Sequence, residues 1–123
     1  MANLYLELLD AAKRLPNAYE ALRSPAKRFT DTSTGGSVTG WIVCQFSYKM
    51  NRDGNEWWSN DFNLLVDKAG QLWELLLSEE DLPYDGGRHS YVHLSPVSGE
   101  TLRSWDVNGW DFAKMKRSIE SMV

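Results

Sequence analysis

The sequence predicts an α+β domain with an N-terminal helix, a mainly antiparallel sheet of four to five strands and a C-terminal helix. The main observation lies in residues 40–78, where three strand-like runs are separated by two glycine-containing turns, as in a three-stranded antiparallel meander. Apolar residues at helical spacing flank this meander on both sides. The chain of 123 residues is therefore expected to form a single α+β domain, residues 1–123, with one core.

The N-terminal segment has the apolar spacing of a helix, and Asn3 is a residue type that favours the N-cap. Pro16 predicts the end of this helix, because a proline disfavours a helical conformation in the residue before it. A second short helix is predicted over residues 17–23. Residues 26–39 are expected to be irregular and to end in a Ser/Thr/Gly-rich loop.

The first two strands of the meander, within residues 40–50 and 56–67, show an alternating pattern. Most of their even positions are apolar or aromatic, which predicts a core face. These core positions are Ile42, Cys44, Phe46, Tyr48, Met50, Trp58, Phe62, Leu64 and Val66.

The turn between these strands decides which residues face each other. A two-residue loop would put Phe46 opposite Asp61, so that a core side chain lies beside a polar one. A three-residue loop over residues 52–54 instead pairs Cys44 with Phe62 and keeps both on the core side. We therefore predict the three-residue loop.

The third strand is apolar on both sides. Pairing Val66 with Trp73, after a turn in which Gly70 adopts a positive φ, sends Trp73, Leu75 and Leu77 to the core. The opposite side, the second face, then also carries apolar side chains, and a strand apolar on both sides is usually covered on both sides. We expect either a helix of this chain or another molecule on that face, whose residues are Trp41, Val43, Leu65, Leu72 and Leu76.

The last third of the chain is predicted to contain a loop, a hairpin and a helix. Residues 78–87 are acidic and contain proline and glycine, which indicates an exposed loop. Residues 88–94 have strand composition, with residues 101–105 as their predicted hairpin partner. A final helix, capped by Asp106 or Asn108, places one apolar stripe toward the core. The stripe consists of Phe112, Met115, Ile119 and Met122.

Composition limits the kinds of partner. The formal net charge of −4 and the pI near 5.1 disfavour direct binding to nucleic acid or to an anionic membrane. The single cysteine, Cys44, cannot form an internal disulfide and is expected to be buried as a thiol in a reducing compartment. No secretory signal and no apolar run of about 20 residues is seen, so a cytoplasmic location is expected.

No catalytic, cofactor or metal motif outweighs a structural interpretation. His89 and His93 would lie about 13 Å apart on a strand, too far to share an ion. Asp61, Asp67 and Glu74 remain the basis of an alternative, a carboxylate-based site of a weak enzyme. We expect no catalytic residues, no metal and no cofactor.

The function hypothesis is a non-enzymatic protein-binding module, such as a small inhibitor, an immunity-type protein or an adaptor. Its partner would be another protein with a basic surface, because acidic and aromatic residues would face it. The alternatives are a small-ligand pocket protein or weak enzyme, and a structural homodimer joined through the second face. The predicted protein-binding residues are Trp41, Trp57, Leu65, Leu72, Leu76, Glu79, Glu80, Asp81 and Asp85.

Overall fold

The structure is a computed structural model that describes the backbone of residues 4–52, 55–82, 87–107 and 112–122. Its side chains are described for residues 6–45, 61–78, 90–104 and 113–122. The elements are α1 (Leu4–Ala12), α2 (Leu15–Ala21), β1 (Lys27–Thr30), β2 (Ser37–Arg52), β3 (Asn55–Asp67), β4 (Leu72–Leu82), β5 (Gly87–Pro96), α3 (Gly99–Val107) and α4 (Phe112–Met122).

The five strands form one antiparallel sheet in the order β1-β2-β3-β4-β5, so each strand pairs with its neighbour in the chain. The sheet curls into a half-barrel. The predicted α+β class, with helices at both ends of the chain and an antiparallel sheet between them, is confirmed. The predicted meander is its centre, formed by β2, β3 and β4.

The helices pack on one face of the sheet, here called the helix-packed face. Leu64, Val66 and Leu72 lie on this face with at most 1% of each residue exposed. Two members of the predicted stripe of α4, Met115 and Ile119, are fully buried in this core, and Met122 is partly buried, while the side chain of Phe112 lies outside the described residues. The core between helices and sheet comprises Leu8, Ala11, Ala12, Leu15, Trp41, Cys44, Leu64, Val66, Leu72, Val97, Leu102, Met115 and Ile119.

The first two helices are separated by a break, as predicted, but the break lies at a different position. α1 ends at Ala12, and α2 already begins at Leu15. Pro16 lies in the first turn of α2, where its missing N–H removes no hydrogen bond within the helix. The proline therefore starts the second helix rather than ending the first. The predicted N-cap, Asn3, lies outside the described residues.

β2 and β3 pair in a register that differs from the predicted one by two residues. Arg52 pairs with Asn55, so the loop has two residues and not three. A β-bulge at Trp57 then shifts the register, and beyond it Phe46 is the cross-strand partner of Phe62. A difference of two residues leaves every side chain on its original side of the strand. The predicted core positions Leu64 and Val66 of β3 are therefore correct although the loop length is wrong, whereas Phe62 on the same side is partly exposed and the Trp58 side chain lies outside the described residues.

A second bulge, at Val43, reverses the faces of the residues that precede it in β2. Trp41 pairs with Val66 and joins the helix-packed face, where only 6% of it is exposed. Ile42 turns to the opposite face and is 41% exposed. The prediction that put Trp41 on the second face and Ile42 in the core is wrong for this reason.

The register between β3 and β4 differs from the predicted one by a single residue. Val66 pairs with Leu72 and not with Trp73, which exchanges the two faces of β4. Leu72 and Leu76 therefore lie on the helix-packed face, whereas the second face carries Leu65, Trp73, Leu75 and Leu77. Both predicted face assignments in β4 are wrong.

The turn between β3 and β4 explains this register. The Asp67 N–H donates to the carbonyl of Gln71 at 2.9 Å, which closes a loop of three residues. Gly70 adopts φ +87° within it, as predicted. The Asp67 carboxylate accepts the N–H groups of Ala69 and Gln71, both at 2.9 Å, and the indole N–H of Trp73 at 3.0 Å. The last bond requires Trp73 and Asp67 to lie on the same face, the second one.

Two segments in the last third of the chain have a different structure from the predicted one. The acidic stretch is not a loop at its start, because β4 continues through Leu82 and pairs with both β3 and β5. Residues 101–105 belong to α3 and not to a hairpin partner of β5. Ser98 and Thr101 explain the helix, since the Ser98 Oγ accepts the Thr101 N–H and the Thr101 Oγ1 accepts the Ser98 N–H.

β1, which the sequence analysis missed, connects to the far edge of the sheet through the turn after it. Asp31 in this turn is only 6% exposed and accepts the N–H of Leu94 on β5 at 2.9 Å. Its other oxygen accepts the N–H groups of Ser33 and Thr34. The Leu94 bond and these turn bonds hold the pKa of the Asp31 carboxyl well below its usual range. Thr32 adds a bond from its N–H to the Val92 carbonyl, so the turn joins the first and last strands.

Candidate functional site

The predicted protein-binding residues do not form one surface. Trp41 and Leu72 lie in the core beneath the helices. The Trp41 ring stacks on Tyr19 at 5.0 Å between ring centroids, and its indole N–H donates to the Ser24 carbonyl at 3.0 Å. Both residues therefore stabilise the fold and offer no contact area to a partner.

The other predicted residues are distributed over both faces of the sheet and over the last part of β4. Leu65 lies on the second face and is fully buried. Glu79, Glu80 and Asp81 lie in β4, and Trp57 is the bulge residue of β3, but their side chains are outside the described part of the chain. Asp85 lies entirely outside the described residues. Of the predicted set with described side chains, Leu76 alone is partly accessible on a sheet face.

The three carboxylates of the enzyme alternative are also separated. Asp67 is engaged in the β3–β4 turn. Asp61 pairs with Leu77 and lies with it on the second face. Glu74 pairs with Leu64 and lies on the helix-packed face. The structure therefore does not bring Glu74 together with the other two.

Leu76 belongs to a partly exposed area of the helix-packed face, which continues beyond the helix-covered core. The strand register places these residues in three adjacent cross-strand rows. Phe62, Leu76 and His93 form the central row, with Glu74 on one side and Tyr91 on the other. We call this area the β3–β5 patch; its residues are Phe62, Glu74, Leu76, Ser78, Tyr91 and His93.

Aromatic rings line the β5 side of the β3–β5 patch. Tyr91 is 40% exposed. Its ring and that of His93, two positions along the strand, are nearly parallel, with 11° between their planes and 6.4 Å between their centroids. Alternation along β5 places both rings on the same side. They present flat, polarisable surfaces beside Leu76.

Glu74 is the ionisable residue of β4 within the β3–β5 patch. It is partly buried, and none of the described residues gives its carboxylate a hydrogen bond or an ion pair. Burial raises the pKa of Glu74 above its usual value of 4.5. The patch therefore contains an acceptor that is partly withdrawn from water and still has capacity for a donor.

Two open clefts lined by described residues lie elsewhere. One, of about 210 Å³, lies between α2 and the start of β2, but its Tyr19 hydroxyl donates to the Ile42 carbonyl at 3.1 Å and its Trp41 indole is also bonded internally. The other, of about 470 Å³, lies between α1 and the β3–β4 turn, and its Gln71 amide donates to the carbonyls of Leu72 and Val97. These polar atoms are engaged within the chain, so they give a small ligand few orienting contacts.

Metal ligands and membrane spans can be assessed within the described ranges. No group of three or more His, Cys, Asp or Glu side chains there could hold a metal ion. The described helices include none that is long and apolar enough to cross a bilayer.

The sequence alone did not predict the β3–β5 patch, because the predicted register exchanges the two faces of β4. The useful signal was the alternation in β5, where Tyr91 and His93 are two residues apart. That signal becomes informative only when β5 is paired with β4, which places His93 beside Leu76. Compared with protein-family models, with curated proteins and with solved structures, the chain shows no significant match.

Proposed function

We propose that the protein is a non-enzymatic protein-binding module and that its β3–β5 patch contacts the partner. The observation that supports this most is the combination of accessible apolar and aromatic side chains with a partly buried carboxylate on a regular sheet surface. Aromatic anchors surrounded by polar groups are typical of the residues that contribute most to protein interfaces. The partner would present a basic surface, as the net charge of −4 favours.

The acidic residues Glu79, Glu80 and Asp81 follow Leu76 in the same strand, β4. In the register with β5, Asp81 is the partner of Arg88 and Glu80 is the partner of His89. Of these two pairs, Asp81 and Arg88 carry charges of opposite sign. The proposed contact therefore depends more on the patch around Leu76 than on the acidic residues, which would mainly accelerate the encounter with a basic partner.

The test uses site-specific photo-crosslinking in the source cell. A photoreactive residue replaces Ser78, which lies in the patch, or Ser118, which lies on α4 outside it. We expect a discrete adduct of higher mass from position 78 and none of the same mass from position 118. The adduct should disappear when Leu76→Asp is introduced, because a buried carboxylate at an apolar contact is costly.

Leu22→Asp is the matched control, because Leu22 lies at the end of α2, outside the patch, and is 68% exposed. It should leave the adduct intact. Tyr91→Ala is a second patch variant with less risk to folding, since Tyr91 is 40% exposed. The proposal fails if folded Leu76→Asp and Tyr91→Ala proteins give the same adduct in the same yield as the wild type.

A further inference from the structure

We propose that the β3–β5 patch recognises an arginine side chain of a protein partner, with Glu74 as the carboxylate that accepts the guanidinium. This inference rests on the proposed protein-binding function and identifies the chemical group that the site would take. It follows from three properties of the patch, which are the unused hydrogen-bonding capacity of Glu74, the apolar and aromatic surface next to it, and the pair of nearly parallel rings of Tyr91 and His93.

The first property is the unused hydrogen-bonding capacity of Glu74. A carboxylate that is partly withdrawn from water loses hydration and normally compensates with donors from the protein. The described residues supply no such donor. A cation from a partner would restore the lost interactions, and it would do so in a less hydrated environment, where ion pairs are stronger than in water.

The second property is the surface that surrounds the carboxylate. Leu76 is the next residue of β4 on the same face, and His93 is its cross-strand partner. An approaching side chain would therefore pass over apolar and aromatic groups to reach Glu74. The three methylene groups of an arginine can cover Leu76 while the charged end reaches Glu74.

The third property distinguishes arginine from lysine. A guanidinium is planar and weakly hydrated, and it can stack on an aromatic ring while it donates two parallel hydrogen bonds to a carboxylate. Tyr91 and His93 provide nearly parallel rings on the same side of the sheet. A lysine ammonium is more strongly hydrated and cannot form the bidentate contact. The surroundings therefore favour arginine.

The experiment compares two small cations with the isotope-labelled protein. Ethylguanidinium represents the end of an arginine, and ethylammonium represents the end of a lysine. Amide chemical shifts are followed by NMR during titration at constant ionic strength. We expect ethylguanidinium to shift the amides of Glu74, Leu76 and His93, and ethylammonium to bind there several-fold more weakly.

Two variants complete the design. Glu74→Gln keeps the size of the side chain and removes its charge, so guanidinium binding should become about tenfold weaker, the effect of losing one charge-assisted contact. Glu120→Gln is the control, because Glu120 on α4 is an exposed residue that pairs with Lys116. It should leave the shifts of the patch amides unchanged.

The outcomes separate this inference from the function on which it rests. Equal binding of both cations, or equal guanidinium binding by wild type and Glu74→Gln, would overturn the arginine assignment. If crosslinking from position 78 still depends on Leu76 in that case, the protein-binding function stands with a different contact group. If the crosslink also fails, both proposals are wrong.

Discussion

The two hairpins that share β3 keep their registers in different ways. The β2–β3 hairpin is interrupted by bulges at Val43 and Trp57, whereas β3 and β4 pair without interruption from Trp58 to Val66. In the middle of the first hairpin, residues 44–47 and their partners, residues 61–64, alternate between apolar and polar, so burial itself selects the faces there. In the second, β4 is apolar on both sides, and burial selects neither face.

The difference shows where the register of β4 is decided. Its turn contains an Asp67 carboxylate that binds two backbone N–H groups and the indole of Trp73. The buried Asn63 adds bonds from its amide to the carbonyls of Asp61 and Leu75. In the second hairpin, specific polar contacts thus determine the register that apolar patterning determines in the first. The following predictions test this comparison, beginning with the largest expected effect.

Substitutions at neighbouring positions of β3 test whether both faces are packed. Leu64 lies on the helix-packed face and Leu65 on the second face, and both are fully buried. We expect Leu64→Ala and Leu65→Ala each to lower the free energy of unfolding by about 2–5 kcal/mol, because each leaves a cavity. Chemical denaturation measures the loss. A cost for Leu65→Ala that is close to zero would show that the second face is not a packed core.

Substitution of a turn glycine tests how closely the β3–β4 turn approaches α1. A Cβ on Gly70 would lie 2.5 Å from the Lys13 Cα, in addition to the strain of φ +87°. The conformational strain alone costs about 1–2 kcal/mol, and the backbone contact adds to it. Gly35→Ala is the matched control, because φ is +75° and no atom lies within 4 Å of its Cβ. Thermal denaturation should show a clearly larger loss for Gly70→Ala than for Gly35→Ala.

Removal of the turn carboxylate tests what holds the register of β4. We expect Asp67→Ala to cost about 1–3 kcal/mol, because three N–H donors, of which the Trp73 indole is partly buried, lose a charged acceptor. The variant should also show slow exchange between two registers in NMR spectra, with contacts of Val66 to Trp73 beside those to Leu72. Trp73→Phe retains the ring and removes only the indole donor, so it should cost less. A single, unchanged register in Asp67→Ala would assign the register to packing instead.

Neutralisation of Glu74 gives the smallest expected effect, and it depends on pH. Because burial raises the folded-state pKa of Glu74, the folded protein binds this proton more tightly than the unfolded chain. The stability that it contributes is complete below the usual value of 4.5 and is lost as the pH rises through the folded-state pKa. Glu74→Gln should therefore become more stable relative to the wild type as the pH rises from 4.5 through the folded-state pKa of Glu74.

Melting temperatures of both proteins across this range measure the difference. Glu120→Gln, on the exposed face of α4, should show no such trend. A constant difference between wild type and Glu74→Gln would mean that the carboxylate is fully hydrated, and it would remove one support for the arginine proposal.

The candidate site was accessible to sequence reasoning only in part. The apolar character of Leu76 identified it as a residue that needs a cover, and in the structure Leu76 is partly exposed. Its neighbours Tyr91 and His93 could not be assigned, since a local pattern contains no information on which strand pairs with β5. Trp41 was misplaced because a single bulge at Val43 reverses two faces, and no composition signal marks that residue.

Periodicity along the chain was sufficient to predict the α+β class, the central meander and the burial of Met115 and Ile119 in α4. The residue type alone was sufficient to predict the positive φ of Gly70. These features depend on interactions between residues close in sequence, or on a preference that one residue type carries by itself. Other features depend on the folded chain. These are the pairing of Val66 with Leu72, the bulges in β2 and β3, and the hydrogen bond from the Leu94 N–H to the Asp31 carboxylate. They are decided by contacts between distant segments, because alternatives shifted by one or two residues have nearly the same local free energy.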